Sequence, residues 1–310
     1  MGTQLTRRPS FVVCLAAFNG IAWIPEQMNS ICAQVEVDVT IFVSVDRSSD
    51  GTEQWIEHAA TNDSRIQILP HGMYFGGAAR NFFRLIRDID FSSFDYVSFS
   101  DQDDIWMPDK LIRAHKSLLS TGCDAYSSNV IAFWPDGHQS LVEKSQPQVR
   151  WDFLFEAAGP GCTYVLSNGI ACALQDQVKK QWDDVQQVGL HDWFSYAFAR
   201  ANGYRWTIDP VATMLYRQHS NNQYGVNVGW RAFFHRAKRV LSGWGLDQTR
   251  LVARLTGFSN GTHPTSHLNS GRFGLIRLAM NARQCRRRGR DKVFFALSCL
   301  LLCLKWRGKK

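Results

Sequence analysis

Three carboxylates stand within four residues, directly after an apolar run of the chain. The run Tyr96–Ser100 is typical of a buried strand, and Asp101, Asp103 and Asp104 follow it. Like charges this close raise the pKa of a neighbouring carboxyl unless a cation neutralises them. Hard oxygen ligands suit Mg²⁺ or Mn²⁺, which commonly binds one or two carboxylates and the phosphates of a substrate. The cluster therefore predicts a divalent cation bound together with a diphosphate, with a loop that merely begins a helix as the alternative.

Two further polar clusters follow strand-like runs. Phe18 and Asn19 come after the apolar residues 11–17, and Asp46 opens a turn-rich stretch, 46–52, after the β-branched residues 39–45. In open α/β sheets, ligands bind outside the carboxyl ends of the strands. The three clusters together predict one pocket at that edge.

Three isolated residues have the chemistry to complete such a pocket. Arg80 follows a glycine-containing stretch and would pair with a phosphate, or be an ordinary surface arginine. Asp192 stands at a helix start beside Trp193, where it would serve as a general base or as a helix cap. His219 follows a short strand and would bind metal or be structural. The residues alone leave each pair of alternatives open.

Strand and helix patterns alternate along the first 130 residues, which predicts an α/β fold with a mostly parallel sheet flanked by helices. The predicted strands are 11–17, 39–45, 66–69 and 96–100, and the predicted helices are 25–34, 53–60, 76–89 and 110–119. Short elements are predicted at 151–156, 163–166 and 170–174, a helix at about 191–201, and one or two strands within 206–215. Amphipathic helices are predicted at 230–241 and at about 271–283.

Composition and charge divide the chain into an acidic body and a basic end. The 310 residues are 45% hydrophobic and 20% charged, which excludes wholesale disorder. Residues 1–226 hold 17 Lys/Arg against 25 Asp/Glu, whereas residues 227–310 hold 18 against 2, so the net charge of +8 conceals two opposite halves. The eight cysteines form no CxxC pair, and the opening apolar run lacks a cleavage site, so we expect a reduced cytosolic compartment and no signal peptide.

The C-terminal segment pairs basic residues with an apolar run. Six Lys/Arg within 283–292 precede twelve apolar or small residues at 293–304, and four more basic residues follow. Twelve helical residues span about 18 Å, short of the roughly 30 Å hydrocarbon core of a bilayer. The pattern predicts a helix lying in the interface of an anionic membrane, with a helix packed on the body as the alternative. No stacking-aromatic or recognition-helix pattern indicates nucleic acid.

Taken together, the motifs resemble the family-2 inverting glycosyltransferases of the GT-A fold, in particular the bacterial rhamnosyltransferase-like polysaccharide enzymes. The resemblance covers roughly residues 9–229. It is carried by VCLAAFNG at 13–20, VDRSSDGT at 45–52, the stretch 76–81, FSDQDDIW at 99–106, HDWF at 191–194 and YRQHSNN at 216–222.

The resemblance implies a role for each donor-side residue. Asp46 would bind the nucleotide base or ribose in a pocket lined by Ala17 and Asn19. Arg80 would lie near the diphosphate. Asp101 and Asp103 would be the two carboxylates of a DxD motif, with Asp103 on the metal and Asp101 on the ribose or the metal. The family usually has two adjacent acids after the second strand, and here Val45 replaces the first.

The resemblance also implies an acceptor side. Gly161, Cys162 and Thr163 would belong to the acceptor loop, Asp192 would be the catalytic base, and His219 would complete the metal shell. The family usually has Glu before the base, and here His191 stands there, which would change the surroundings of Asp192.

The activity implied is metal-dependent transfer of a sugar, with rhamnose preferred, from a nucleotide-diphosphate donor to a saccharide acceptor that is lipid-linked. The catalytic domain would span 1–228, with a donor half at about 9–130 and an acceptor half at about 131–228, and residues 229–310 would be a membrane-associated helical extension. The enzyme would work at the cytoplasmic face of the membrane. A nucleotidyltransferase and a non-catalytic membrane-peripheral binding protein are the alternatives.

Overall fold

Two β-sheets organise the body of the protein. The computed structural model describes residues 7–219, 242–258 and 264–305. The strands are β1 Ser10–Ala17, β2 Asp38–Val45, β3 Ile66–Ile68, β4 Tyr96–Ser100, β5 Ile105–Trp106, β6 Ala125–Ser128, β7 Val130–Phe133, β8 Gln139–Val142, β9 Val165–Ser167, β10 Trp206–Asp209 and β11 Met214–Arg217. The larger sheet has the order β10-β6-β9-β4-β1-β2-β3 and the smaller one β5-β11-β7-β8.

Helices cover the larger sheet and form the C-terminal extension. They are α1 Ile24–Cys32, α2 Thr52–Asn62, α3 Ala78–Asp88, α4 Lys110–Thr121, α5 Asn168–Lys180, α6 Trp182–Val185, α7 His191–Ala201, α8 Trp244–Leu255, α9 Thr265–Asn269, α10 Gly271–Met280, α11 Ala282–Cys285 and α12 Gly289–Lys305. Two 3₁₀ turns, Asp152–Leu154 and Gly161–Thr163, lie between β8 and β9. The α/β fold class is confirmed.

The register of the larger sheet brings the polar clusters together. β1 pairs in parallel with β2 and with β4, with Ala17 opposite Val45 and Leu15 opposite Ser100. The residues that follow these three strands therefore leave the sheet at one edge. Only β9 runs antiparallel to its neighbours in this sheet, among the described residues.

Strand β1 is buried on both faces, as an apolar run in a parallel sheet should be. Val12 and Cys14 belong to the core cluster that includes α3, α5 and α7, whereas Phe11, Val13 and Leu15 belong to the cluster that includes α1 and α4. Successive side chains of a strand point to opposite faces, so one continuous hydrophobic run supplies both layers.

The smaller sheet brings the residues that follow β11 beside the carboxylate cluster. β11 pairs antiparallel with β5, with Leu215 opposite Ile105, and the pairing joins segments more than a hundred residues apart. Residues just after β11 therefore lie next to residues just before β5.

Two predicted elements differ from the observed ones. The short element at 170–174 is part of the 13-residue helix α5, whose buried residues Ile170, Ala171, Leu174 and Val178 recur at helical spacing among polar residues. The single helix predicted at 271–283 is two helices, α10 and α11, separated at Asn281. The helix predicted at 230–241 and the domain boundary at 228 lie outside the described residues.

The C-terminal extension contacts the body. The backbone N–H of Trp151 donates to the carbonyl of Gln284 at 2.8 Å, and buried Arg287 lies 3.7 Å from Asp152 and 3.6 Å from Glu156. In the part of the chain that the structure describes, no helix combines the length and apolar character needed to cross a membrane.

Candidate active site

A cavity of about 870 Å³ opens at the strand edge that carries the polar clusters. Its wall includes residues from the loops after β1, β2 and β4, from the stretch before α3, from β8 and the loops that follow it, from the start of α7 and from the C-terminal extension. Among the predicted site residues, those that line it are Ala17, Asn19, Asp46, Asp101, Asp103, Gly161, Asp192 and His219. Ligands of a nucleoside-diphosphate size fit a cavity of this volume.

Asp103 and His219 meet at this cavity. Oδ2 of Asp103 lies 2.8 Å from Nε2 of His219, and the imidazole stacks on the Trp23 ring with 4.1 Å between ring centroids. Trp23, just before α1, was missed by the sequence reasoning, since a tryptophan in a helix-start stretch gives no sign of a distant histidine. The stacking holds the imidazole ring towards the carboxylate.

Asp101 and Asp104 are held among like charges. Burial, followed by the neighbouring charges of Asp103 and Asp192, raises the pKa of Asp101 to about 7. Burial first, and then Asp103 and Asp101, raises the pKa of Asp104 well above its ordinary value. Asp104 Oδ2 has no hydrogen-bond partner among the described residues. The repulsion that the sequence predicts is thus present.

These residues fit a divalent cation. Asp101, Asp104 and Cys162 each offer a ligand atom, and the three atoms lie within 4.8 Å of one another. Asp101, Asp103 and His219 face the cavity, whereas Asp104 and Cys162 are fully buried behind it. Mg²⁺ and Mn²⁺ prefer oxygen and imidazole to sulfur, so the cavity-facing group is the better set of ligands. A cation there would place positive charge where a diphosphate would bind.

A buried lysine lies behind the carboxylates. Lys110 is fully buried with its ammonium 3.5 Å from the centre of the Trp106 ring, and burial lowers the pKa of this lysine to about 7. The nearby charges of Cys162 and Asp104 act in the opposite direction. The sequence gives no sign of this role, because Lys110 has the pattern of the first residue of an ordinary helix.

Asp46 is a loop anchor. One carboxylate oxygen accepts the backbone N–H of Phe75 at 2.8 Å and of Arg47 at 2.9 Å, and the other accepts that of Gly76 at 3.0 Å. The side chain is nearly fully buried. It therefore fixes the glycine-containing loop before α3 against the end of β2, at the wall of the cavity.

Asn19 and Gln102 hold the loop after β1. Asn19 adopts a left-handed backbone conformation, with φ of 45°, and its side-chain oxygen accepts the Ser49 N–H at 2.8 Å. Gln102 pairs with the backbone of Phe18 in both directions, each at 2.8 Å. These contacts tie the loops after β1, β2 and β4 to one another.

Arg80 lies outside the lining of the cavity. Its Nε donates to the carbonyl of Gln186 at 3.1 Å, and its Nη1 donates to that of Phe75 at 3.4 Å. Contact with a diphosphate in the cavity would require the guanidinium to leave these two carbonyls.

Asp192 lies at the first turn of α7, facing the cavity. Its Oδ1 accepts the backbone N–H of Trp193 at 2.7 Å. Burial raises the pKa of Asp192 to about 6, although the Trp193 N–H and the charge of Lys144 act in the opposite direction. A carboxylate with this pKa is ionised at neutral pH yet basic enough to accept a proton.

The predicted acceptor loop packs directly on α7. A Cβ built on Gly161 would lie 2.7 Å from Nε2 of His191 and 3.0 Å from Cβ of Asp192, so only glycine allows this approach. Gly161 faces the cavity, whereas Cys162 and Thr163 are fully buried beneath it. Thr163 Oγ1 donates to the Pro160 carbonyl at 2.7 Å and closes the turn.

His191, which stands where the family usually has Glu, is neutral. Its ring stacks on Phe82 with centroids 3.7 Å apart, and burial lowers its pKa to about 3. It therefore adds no positive charge beside Asp192.

Several cavity residues were missed because they come from distant segments. They are Lys144, after β8, and Arg286, Arg288 and Arg290, from the C-terminal extension. The sequence pattern places these arginines in a membrane-facing run and gives no sign that they reach the cavity.

A mostly parallel sheet with a carboxylate-rich strand end, a histidine facing it and a further carboxylate across the cavity is typical of a nucleotide-sugar glycosyltransferase of the GT-A fold. The pattern of glycosyl transferase family 2 matches residues 12–158. The chain is 41% identical over 288 residues to dTDP-rhamnosyl transferase RfbG of Shigella flexneri. The alignment covers 93% of this chain and 99% of that protein. The chain belongs to glycosyl transferase family 2 and is a glycosyltransferase of polysaccharide synthesis.

Solved structures with low sequence identity share the fold. S. aureus TarS 1–349 in complex with UDP-GlcNAc aligns with a TM-score of 0.56 at 13% identity, over 95% of this chain and 89% of that one. The mannosyltransferase PcManGT of Pyrobaculum calidifontis, in complex with GDP-Man and Mn²⁺, aligns with a TM-score of 0.51 at 16% identity, over 97% and 87% of the two chains. Family membership favours glycosyl transfer over the nucleotidyltransferase and the non-catalytic binding protein.

Proposed function

We propose that this enzyme transfers rhamnose from dTDP-rhamnose to a saccharide acceptor, with Mg²⁺ or Mn²⁺ as its cofactor. The observation that carries the donor is the 41% identity to a dTDP-rhamnosyl transferase over nearly the whole of both chains. The cavity-facing carboxylates and His219 support the cation.

Two groups of residues would bind the donor. Asp101, Asp103 and His219 would hold the cation, which neutralises the charge of the departing dTDP. Ala17, Asn19 and Asp46 would form the nucleoside pocket, where Asp46 acts both through the loop that it anchors and through its place in the cavity wall. Arg80 would approach the diphosphate on leaving the Gln186 carbonyl.

Asp192 would be the base. Its carboxylate would accept the proton of an acceptor hydroxyl as that oxygen attacks the anomeric carbon from the face opposite dTDP, which inverts the configuration. The carbon–oxygen bond to the diphosphate breaks as the new bond forms, and the electron pair leaves with dTDP. Because position 161 is glycine, the backbone of the acceptor loop would lie directly against Asp192.

A donor panel tests the proposal. Release of nucleoside diphosphate would be measured with dTDP-rhamnose, UDP-glucose, UDP-GlcNAc and GDP-mannose, each with Mn²⁺, with Mg²⁺ and with EDTA. We expect turnover of dTDP-rhamnose well above the others, and none in EDTA. Equal or faster turnover of another donor would overturn the choice of sugar, and turnover in EDTA would overturn the cation.

The second part of the proposal is attachment to the cytoplasmic face of an anionic membrane. Helices α10 and α12 pack on each other and expose large apolar side chains, among them Met280 at 78%, Phe273 at 77%, Leu304 at 80% and Leu297 at 54%. Lys and Arg flank this apolar face at both ends of α12. An apolar face bordered by cations is typical of a helix lying at an anionic interface.

Vesicle flotation tests the attachment. The variant Leu297→Glu/Leu301→Glu should lose binding to vesicles containing phosphatidylglycerol, while Leu119→Glu, which changes an apolar residue 66% exposed on α4, should bind as wild type does. Unchanged vesicle binding by the double variant, or a change only in its oligomeric state, would contradict the attachment.

A further inference from the structure

The cavity wall combines carboxylates from the sheet edge with a group of basic side chains from outside the sheet. This basic group consists of Lys144, Arg286, Arg288 and Arg290. The cation and the base account for the carboxylates at the sheet edge, and Glu156 and Asp291 also line this wall. Two carboxylates do not balance the four basic side chains.

Two members of the basic group have a carboxylate close by. Arg286 donates to the Phe155 carbonyl and lies 4.0 Å from Glu156, and Arg290 lies 3.5 Å from Asp291. Lys144 and Arg288 form no side-chain hydrogen bond or ion pair with any described residue. Burial lowers the pKa of Lys144, and Glu156 is the largest charge acting on it, but that carboxylate also lies 3.6 Å from Arg287 and 4.0 Å from Arg286. The charges of Lys144 and Arg288 are therefore not taken up by a direct ion pair among the described residues.

The basic group lies on the acceptor side. Lys144 packs against the acceptor loop, since a Cβ built on Gly159 would lie 3.7 Å from both Cβ and Cγ of Lys144. Its charge acts on Asp192, and the charges of Glu156, Arg287, Arg286 and Asp291 act on it in turn. The lysine therefore connects the base to the C-terminal extension, whereas the donor residues leave from the ends of β1, β2 and β4.

We propose that Lys144 and Arg288 bind a diphosphate carried by the acceptor, at a second anion site separate from that of the donor diphosphate. This inference rests on the proposed function, because it takes Asp192 as the place of the acceptor hydroxyl. An arginine donates a fork of N–H groups to phosphate oxygens and a lysine adds a compact charge, so the pair suits a diphosphate. Binding the acceptor by its diphosphate sets the distance at which its sugar meets Asp192.

The exposed apolar face of α12 follows the proposed site closely in the chain. Arg288 directly precedes α12, whose apolar side chains begin at Val293, 61% exposed. In an acceptor with a diphosphate between its sugar and an apolar chain, the sugar would lie at Asp192, the diphosphate at Lys144 and Arg288, and the apolar chain on the exposed face of α12.

Calorimetric titration with geranyl diphosphate tests the second site. The full-length enzyme is first saturated with dTDP and Mg²⁺, so that the donor site is filled. We expect geranyl diphosphate still to bind, and the variants Lys144→Met and Arg288→Ala each to weaken that binding about tenfold or more, since each removes a charge-assisted contact. The affinity for dTDP should stay as in wild type. Arg283→Ala, an exposed arginine of the same extension outside the cavity, is the matched control and should change neither affinity.

Three results would overturn the inference. They are displacement of dTDP by geranyl diphosphate, equal binding by Lys144→Met, Arg288→Ala and wild type, and competition by dihexanoyl phosphatidylglycerol as strong as that by inorganic pyrophosphate, which would make the ligand an ordinary lipid headgroup. Failure of wild type to bind dTDP would instead count against the proposed function. Loss of geranyl diphosphate binding in the variants would still support the anion site in that case.

Discussion

Asp103 and His219, separated by 116 positions in the chain, meet at 2.8 Å between Oδ2 and Nε2. The meeting depends on the pairing of β11 with β5, which brings the end of the body next to the loop after β4. Trp23 supports the imidazole from its face. A histidine held this way would add a nitrogen ligand beside the carboxylates.

Removal of the histidine should weaken the cation site. In His219→Ala we expect the Mn²⁺ concentration for half-maximal release of dTDP to rise about tenfold or more, because a ligand is lost while the carboxylates remain. His58→Ala, on the exposed surface of α2, is the control and should leave that concentration unchanged. An unchanged Mn²⁺ requirement in His219→Ala would show that the histidine is not a ligand.

Asp46 should act on donor affinity more than on the chemical step. In Asp46→Asn the amide would present an N–H₂ group to at least one of the backbone N–H donors of Phe75 and Gly76. The loop would loosen, and we expect the KM for the donor to rise about tenfold with a smaller change in kcat. Asp38→Asn, exposed at the start of β2, is the control. A fall in kcat alone would argue against an anchoring role.

Gly161 should tolerate no side chain. Gly161→Ala would place a Cβ 2.7 Å from Nε2 of His191 and would push the loop or α7 away. We expect transfer to fall at least about tenfold, since small displacements of catalytic groups cost large factors in rate. Gly169→Ala, at the start of α5 with open space around it, should retain full activity. Comparable activity in the two variants would contradict the close contact.

The rate of transfer should depend on the ionisation of Asp192. Burial raises its pKa to about 6, and a base must be deprotonated to act. At saturating acceptor, we therefore expect kcat to rise with pH through about 6 and to level off above it. The measurement is a pH–rate profile with product quantified by chromatography. A rate that is flat between pH 5 and 7 would exclude Asp192 as the base under these conditions.

The strand ends and their polar clusters could be predicted because the signals are local. The apolar runs of β1, β2 and β4 are continuous in the sequence, and parallel strands place their carboxyl ends at one edge. Placing Asp192 at the start of a helix also followed from nearby residues, and the structure puts it in the first turn of α7.

Contacts made over long distances could not be predicted from such signals. The placement of Arg288 in the cavity depends on the packing of the C-terminal extension, and the partners of Arg80 depend on a carbonyl 106 positions away. The basic run at 283–292 reads as a solvated or membrane-facing charge cluster, whereas part of it forms cavity wall and Arg287 is buried against Asp152. Composition gives the net charge of this basic run but does not show which surface of the protein its side chains line.

Release of dTDP from dTDP-rhamnose in the presence of a saccharide acceptor is the most direct test of a cation-dependent, base-assisted transfer. The rate would be compared for wild type, Asp103→Ala, Asp192→Asn and the exposed control Asp136→Ala, with Mn²⁺ or Mg²⁺. We predict release by wild type and Asp136→Ala, and losses of about a hundredfold or more in Asp103→Ala and Asp192→Asn. Release of dTDP by those two variants at the wild-type rate would contradict a cation-dependent, base-assisted transfer. Absence of nucleoside diphosphate release by wild type with any donor would contradict it too.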